Sequence, residues 1–154
     1  MSGQIDARLT ALGITLPEAP APAANYLPYV LTGDLVFISG QISREAGGLI
    51  TGCLGDTLDV DAGVAAARAC ALSLLAQLRA ACGGDLDRVV RVVKLTGFVN
   101  STAGFTDQPR VINGASDLFV AVLGDAGRHA RAAVGTASLP GGVAVEIEGV
   151  FEIR

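Results

Sequence analysis

The chain has 154 residues, 51% of them hydrophobic and 17% charged, with a mean hydropathy of +0.51 and a formal net charge of -4. A chain this long removes roughly two thirds of its unfolded surface from water, which suits one compact domain without metal or disulfide staples, and so apolar a composition excludes disorder. Eleven Lys+Arg, with Lys94 the single lysine, against fifteen Asp+Glu leave no basic stripe for a phosphate backbone.

The N-terminal stretch Met1-Ser2-Gly3-Gln4-Ile5-Asp6 has neither the basic nor the apolar region of a signal peptide, so the expected compartment is the cytoplasm. Residues 1–25 read as an extension. Ile5, Leu9 and Leu12 recur at helical spacing, and Leu16-Pro17-Glu18-Ala19-Pro20-Ala21-Pro22 is held extended by its prolines. Two apolar runs, Tyr29–Thr32 and Leu35–Ile38, flank Gly33-Asp34 and predict a β-hairpin. After a loop over 40–57, Asp59 caps a helix with the stripe Val64, Ala67, Ala71, Leu74, Leu75, Leu78 and Cys82, ending at Gly83-Gly84. Arg68, Ser73, Gln77 and Arg79 interrupt its apolar run, which stays short of the ~18 residues of a membrane span.

The β-branched stretch 88–100 predicts a long strand, with Gly97 marking a bulge or a close backbone approach. A second helix starts around Thr106-Asp107-Gln108-Pro109, carries Val111, Ile112, Ala115, Leu118, Phe119 and Val122, and stops at Gly124. Two strands close the chain, 131–137 and 143–153, joined by Leu139-Pro140-Gly141-Gly142. The order β-β-α-β-α-β-β predicts an α+β fold, a mostly antiparallel sheet with two helices on one face. High hydrophobicity in so small a chain also points to association with copies of itself.

Three cysteines, Cys53, Cys70 and Cys82, in a chain without export signals read as reduced thiols, the last two as core residues. With one histidine, His129, there is no zinc signature, no cofactor is implied, and no spacing pairs a Ser or Cys with His129 as a nucleophile. The last strand alternates Val145, Ile147, Gly149, Phe151 and Ile153 with Glu146, Glu148, Val150 and Glu152, so one face carries carboxylates. Arg131 opens the preceding strand among the small residues Ala132-Ala133-Val134-Gly135. Its fork of N–H donors either holds a ligand carboxylate or pairs with Glu146 or Glu148 across a hairpin. Ser39-Gly40-Gln41 reads first as a turn and second as a pocket edge, and Asn113 in the second helix either touches a ligand or caps a backbone group.

Ser39-Gly40-Gln41-Ile42 after an apolar strand, then Arg131-Ala-Ala-Val-Gly-Thr-Ala-Ser-Leu139-Pro140, then Val145-Glu146-Ile147-Glu148 resemble the RidA/YjgF family, also called endoribonuclease L-PSP-like, over residues 26–154. The resemblance implies a chorismate-mutase-like fold and a homotrimer around a central β-barrel with clefts between subunits. It further implies cofactor-free hydrolysis of reactive enamines and imines of small amino acids to 2-keto acids and ammonia. In the family's terms Arg131 grips the substrate carboxylate, Glu146 activates water, and Tyr29, Ser39, Gly40 and Asn113 line the pocket. The family's Cys two residues after the Arg is Ala133 here, and Leu27-Pro28-Tyr29 replaces Gly-Pro-Tyr, marks of a divergent branch. A trimer that binds a small carboxylate without catalysis is the alternative expectation. An RNA-cleaving translation inhibitor ranks below both, since acidity and a single His supply neither phosphate attraction nor an acid–base pair.

Overall fold

The computed structural model of the chain describes residues 3–22 and 24–154. Strands β1 (Tyr29–Thr32) and β2 (Leu35–Ile42) form the expected hairpin, with Thr32 opposite Leu35 and Gly33 opening the two-residue turn at φ +57°. Such a φ suits glycine, which has no Cβ to clash. Within the stretch read as loop lies a small second hairpin, β3 (Arg44–Glu45) with β4 (Gly48–Leu49).

Helix α2 (Val60–Ala81) starts where Asp59 accepts the Ala62 N–H at 2.8 Å, and it stops at Cys82 before the glycine pair. Ala67, Cys70, Ala71, Leu74, Leu75 and Leu78 bury its inner face completely. By length and composition alone α2 could cross a bilayer, but more than half of its apolar window is buried inside the protein. Replacing the cap, Asp59→Ala, orphans one backbone donor and is expected to lower stability by about 1 kcal/mol. Denaturant unfolding at an unchanged slope measures it.

The long strand β5 (Val89–Asn100), helix α3 (Gln108–Leu123) with Pro109 in its first turn, and strands β6 (Ala130–Thr136) and β7 (Val145–Ile153) complete the main body. Gly97 does mark a close approach, because a Cβ there would stand 2.5 Å from Cδ1 of Ile112 on α3. The sequence expectation of two helices gains a third, α1 (Gln4–Ala11), where Ile5, Leu9 and Leu12 sit at helical spacing. The Asp87 carboxylate, across the molecule, accepts the N–H groups of Gln4 and Ile5 at 2.8 Å each, and Asp6 pairs with Arg79 of α2. A carboxylate at these first amides satisfies donors a helix start cannot pair internally.

The sheet runs β1-β2-β7-β5-β6, with β5 and β6 parallel and the other pairs antiparallel. This overturns the expected hairpin between the last two strands: β5 lies between β6 and β7, and the connection after β6 passes over the sheet end. Alternation holds along β7, where Val145, Ile147, Phe151 and Ile153 are buried under α2 and α3 while Glu148 is exposed on the other face. Among the described residues, no helix of the chain covers that open face. It mixes Glu146, Glu148 and Lys94 with Val30, Phe37, Phe98 and Val134, and Phe37 and Val134 are 45% and 44% exposed.

Candidate functional site

The conspicuous local feature of β2 is a bulge. Ile38 faces Gly149 and Gln41 faces Ile147, so Ser39 and Gly40 together oppose a single residue of β7. A bulge kinks the strand and re-aims its side chains. Here it lays the Gly40 backbone against the carboxylate of Glu146, so closely that a Cβ on residue 40 would collide with Oε1. Burial, and next the charge of Glu148, raise the Glu146 pKa above its ordinary 4.5. A carboxyl that holds its proton more readily than usual suits proton transfer near neutrality.

Glu146 and Gly40 open into a pocket of about 180 Å³ whose opposite wall is the N-terminal segment: Pro20, Ala21, Pro22, Tyr26 and Pro28, with Arg44 and Gln77 at the sides. Gln77, 2% exposed on α2, donates from Nε2 to the Pro20 carbonyl and so ties that segment down. In the sequence Gln77 is only a polar break in an apolar stripe. Its partner lies 57 residues away, so no local pattern exposes the link.

Arg131 belongs to a different neighbourhood. It pairs with Leu95 in register and points, like Leu95, to the helix face, where Nη1 donates to Asn113 Oδ1 at 2.8 Å and Ser116 Oγ at 3.1 Å and Nη2 to the Pro109 carbonyl at 3.3 Å. The alternative of a pair with Glu146 or Glu148 across a hairpin is thereby excluded. Asn113 is exposed on α3 rather than set in its apolar face, and the group it satisfies is this guanidinium. Glu146 pairs with Phe98 and Arg131 with Leu95, on either side of β5. Two strand spacings across and three residues along amount to about 10 Å in each direction, with the side chains on opposite faces.

The predicted residues therefore fall into two groups. Gly40 and Glu146 share the pocket, and Ser39 stands next to it on the open face, its hydroxyl donating to the Leu27 carbonyl at 2.7 Å. Asn113 and Arg131 form the second group at the α3–β6 rim. Tyr29 joins neither: it pairs with Ile38 and packs half-buried against the core, and the aromatic ring lining the pocket is that of Tyr26. Cys70 and Cys82 are buried as expected, and burial pushes both thiols up.

Residues 6–145 match the family model described as "YjgF/chorismate_mutase-like, putative endoribonuclease". The chain belongs to the YjgF/RidA family. A relative, Protein TCP17 of Trypanosoma cruzi, is 54% identical over 155 residues, covering 99% of this chain and 96% of that protein. Among solved structures, the protein Atu1372 of Agrobacterium tumefaciens, of unknown function, is 50% identical with a TM-score of 0.91, covering 97% of this chain and 92% of its own. A Shewanella oneidensis protein named as an endoribonuclease candidate is 34% identical with a TM-score of 0.93, covering 98% of this chain and all of its own. The mixed α+β architecture expected of the YjgF fold is thus the one observed.

Proposed function

We propose that the protein hydrolyses reactive enamines and imines of small amino acids to 2-keto acids and ammonia, in clefts built between copies of the chain. The observation that carries this reading is the split of the family's Arg and Glu into two half-sites too far apart, and on the wrong faces, to share a ligand within one chain. A neighbouring copy supplies the missing half in each direction, as a cyclic trimer does through a single repeated interface. The half-apolar open face of the sheet supports such self-association, because large apolar patches seldom remain in water.

In this scheme the Arg131 guanidinium of one copy holds the substrate carboxylate, and Glu146 of the next copy takes a proton from water as the oxygen attacks the C=N carbon. That proton passes to nitrogen to give a carbinolamine, and the hydroxyl proton then follows it through Glu146 as the C=O bond forms, the C–N bond breaks and ammonia leaves, so no redox partner or electron sink is needed. Imines are already electrophilic, so position and a proton path supply the catalysis.

The test couples an amino-acid oxidase to the protein and follows imine decay. Faster decay with the native protein and with Arg68→Ala, an exposed α2 residue outside the pocket, lost in Arg131→Ala, is the expected result. Unchanged decay in Arg131→Ala overturns the reading. Glu146 must be ionised to act as base, so its raised pKa places the acid limb of kcat/KM above pH 4.5, with activity lost as pH falls through that limb.

A further inference from the structure

Behind Arg131 lies an ordered chain of hydrogen bonds that the proposed chemistry does not itself require. His129 Nδ1 stands 2.6 Å from the Gly127 carbonyl, and its Nε2 stands 2.9 Å from Ser116 Oγ. A carbonyl only accepts, so Nδ1 carries the hydrogen and Nε2 of the neutral ring has a lone pair. The Ser116 hydroxyl therefore donates to His129, which leaves its oxygen to accept from Arg131 Nη1 at 3.1 Å. Every proton in the series Arg131, Ser116, His129, Gly127 points the same way. The ring is fixed further by Phe119, edge-on with centroids 6.4 Å apart.

The donor count at Arg131 gives this chain its use. A guanidinium has five N–H groups, and among the described residues three are engaged: two on Nη1, by Asn113 and Ser116, and one on Nη2, by Pro109. The two that remain, on Nε and Nη2, are the number a carboxylate needs for a two-point grip. We infer that Ser116 and His129 are positioning residues that lock the Arg131 guanidinium in the one orientation presenting this free pair of donors to the carboxylate of a 2-imino or 2-keto acid. The inference rests on the reading of Arg131 as the carboxylate anchor.

Protonating His129 would reverse its end of the chain, because Nε2 then donates to the Ser116 oxygen, whose own proton must leave the ring, and a second positive charge stands beside the guanidinium. Arg131 from β6 is the charged group facing the ring. From α3 it meets only Ser116 and Phe119, and the Arg128–Asp125 pair on its own turn and Arg91 of β5, bound to the Arg128 carbonyl, lie toward solvent. Burial, and next the Arg131 charge, lower the His129 pKa, offset in part by the Gly127 bond, so reversal belongs below pH 6.5.

The test measures pyruvate affinity by thermal shift and KM and kcat for imine decay in Ser116→Ala, Ser116→Thr, His129→Ala, His129→Gln and Arg131→Ala. Expected are an about tenfold weaker pyruvate affinity and higher KM in Ser116→Ala and His129→Ala at nearly constant kcat, with recovery in Ser116→Thr. Native KM should also rise below pH 6.5, a rise absent in His129→Gln. Unchanged KM and pyruvate affinity in Ser116→Ala and His129→Ala, while Arg131→Ala loses both, overturn the positioning role and leave the anchor intact. Retention of both in Arg131→Ala overturns the anchor itself.

Discussion

Arg131→Ala and Glu146→Gln, each inactive alone, are expected to restore activity to one another when mixed, denatured and refolded together. In the proposed assembly each cleft takes its Arg from one copy and its Glu from the next. In random assembly half of the copies at each position carry an intact Arg and half an intact Glu, so about a quarter of the clefts regain both. The prediction follows from the position of β5, which separates the two residues and turns them to opposite faces. Recovery of about a quarter of native imine turnover is the result to look for. A mixture as dead as its components would mean that both residues act within one chain. The native protein should correspondingly lose specific imine turnover on dilution past the point at which the proposed assembly dissociates.

The second large effect is expected from one methyl group. Gly40→Ala places a Cβ where Glu146 Oε1 now lies, and since Gly40 is not in the left-handed backbone region the alanine strains nothing in the strand itself. The flexible carboxylate gives way instead of the fold. Displacing a catalytic group by about 1 Å can cost on the order of a hundredfold in rate. We therefore expect Gly40→Ala to keep its secondary structure and thermal midpoint while kcat falls about a hundredfold. Native-like kcat would show that the carboxylate does not need its seat against the bulge.

Much of this was legible before any fold was known, because local physics fixes it. Gly33-Asp34 marks a two-residue turn, Asp59 a helix start, and the alternation through Val145–Ile153 sorts the two faces of β7 correctly. Pairing between strands has no such local signal. The last two strands look like hairpin partners because a short Pro-Gly-Gly connection follows β6, yet β6 docks parallel to β5, since α3 carries the chain back between them as a crossover helix. The site suffers from the same blindness. Arg131 and Glu146 could be named from their motifs, whereas Ser116 and His129 become partners only when α3 is laid beside β6. Tyr29 was the aromatic residue the family pattern indicates, but hairpin register turns it to the core and leaves Tyr26 at the pocket.

The wall of the Glu146 pocket has an evolutionary consequence. Whatever occupies that space touches Pro20–Pro22 and Tyr26 as well as the carboxylate, so one wall of the chamber is written in a surface strap anchored through Gln77 and the other in the sheet. Changes of length in such segments cost little stability. Descendants of this chain can therefore re-cut the chamber by inserting, deleting or exchanging strap residues, while the strands that carry Gly40 and Glu146 remain untouched.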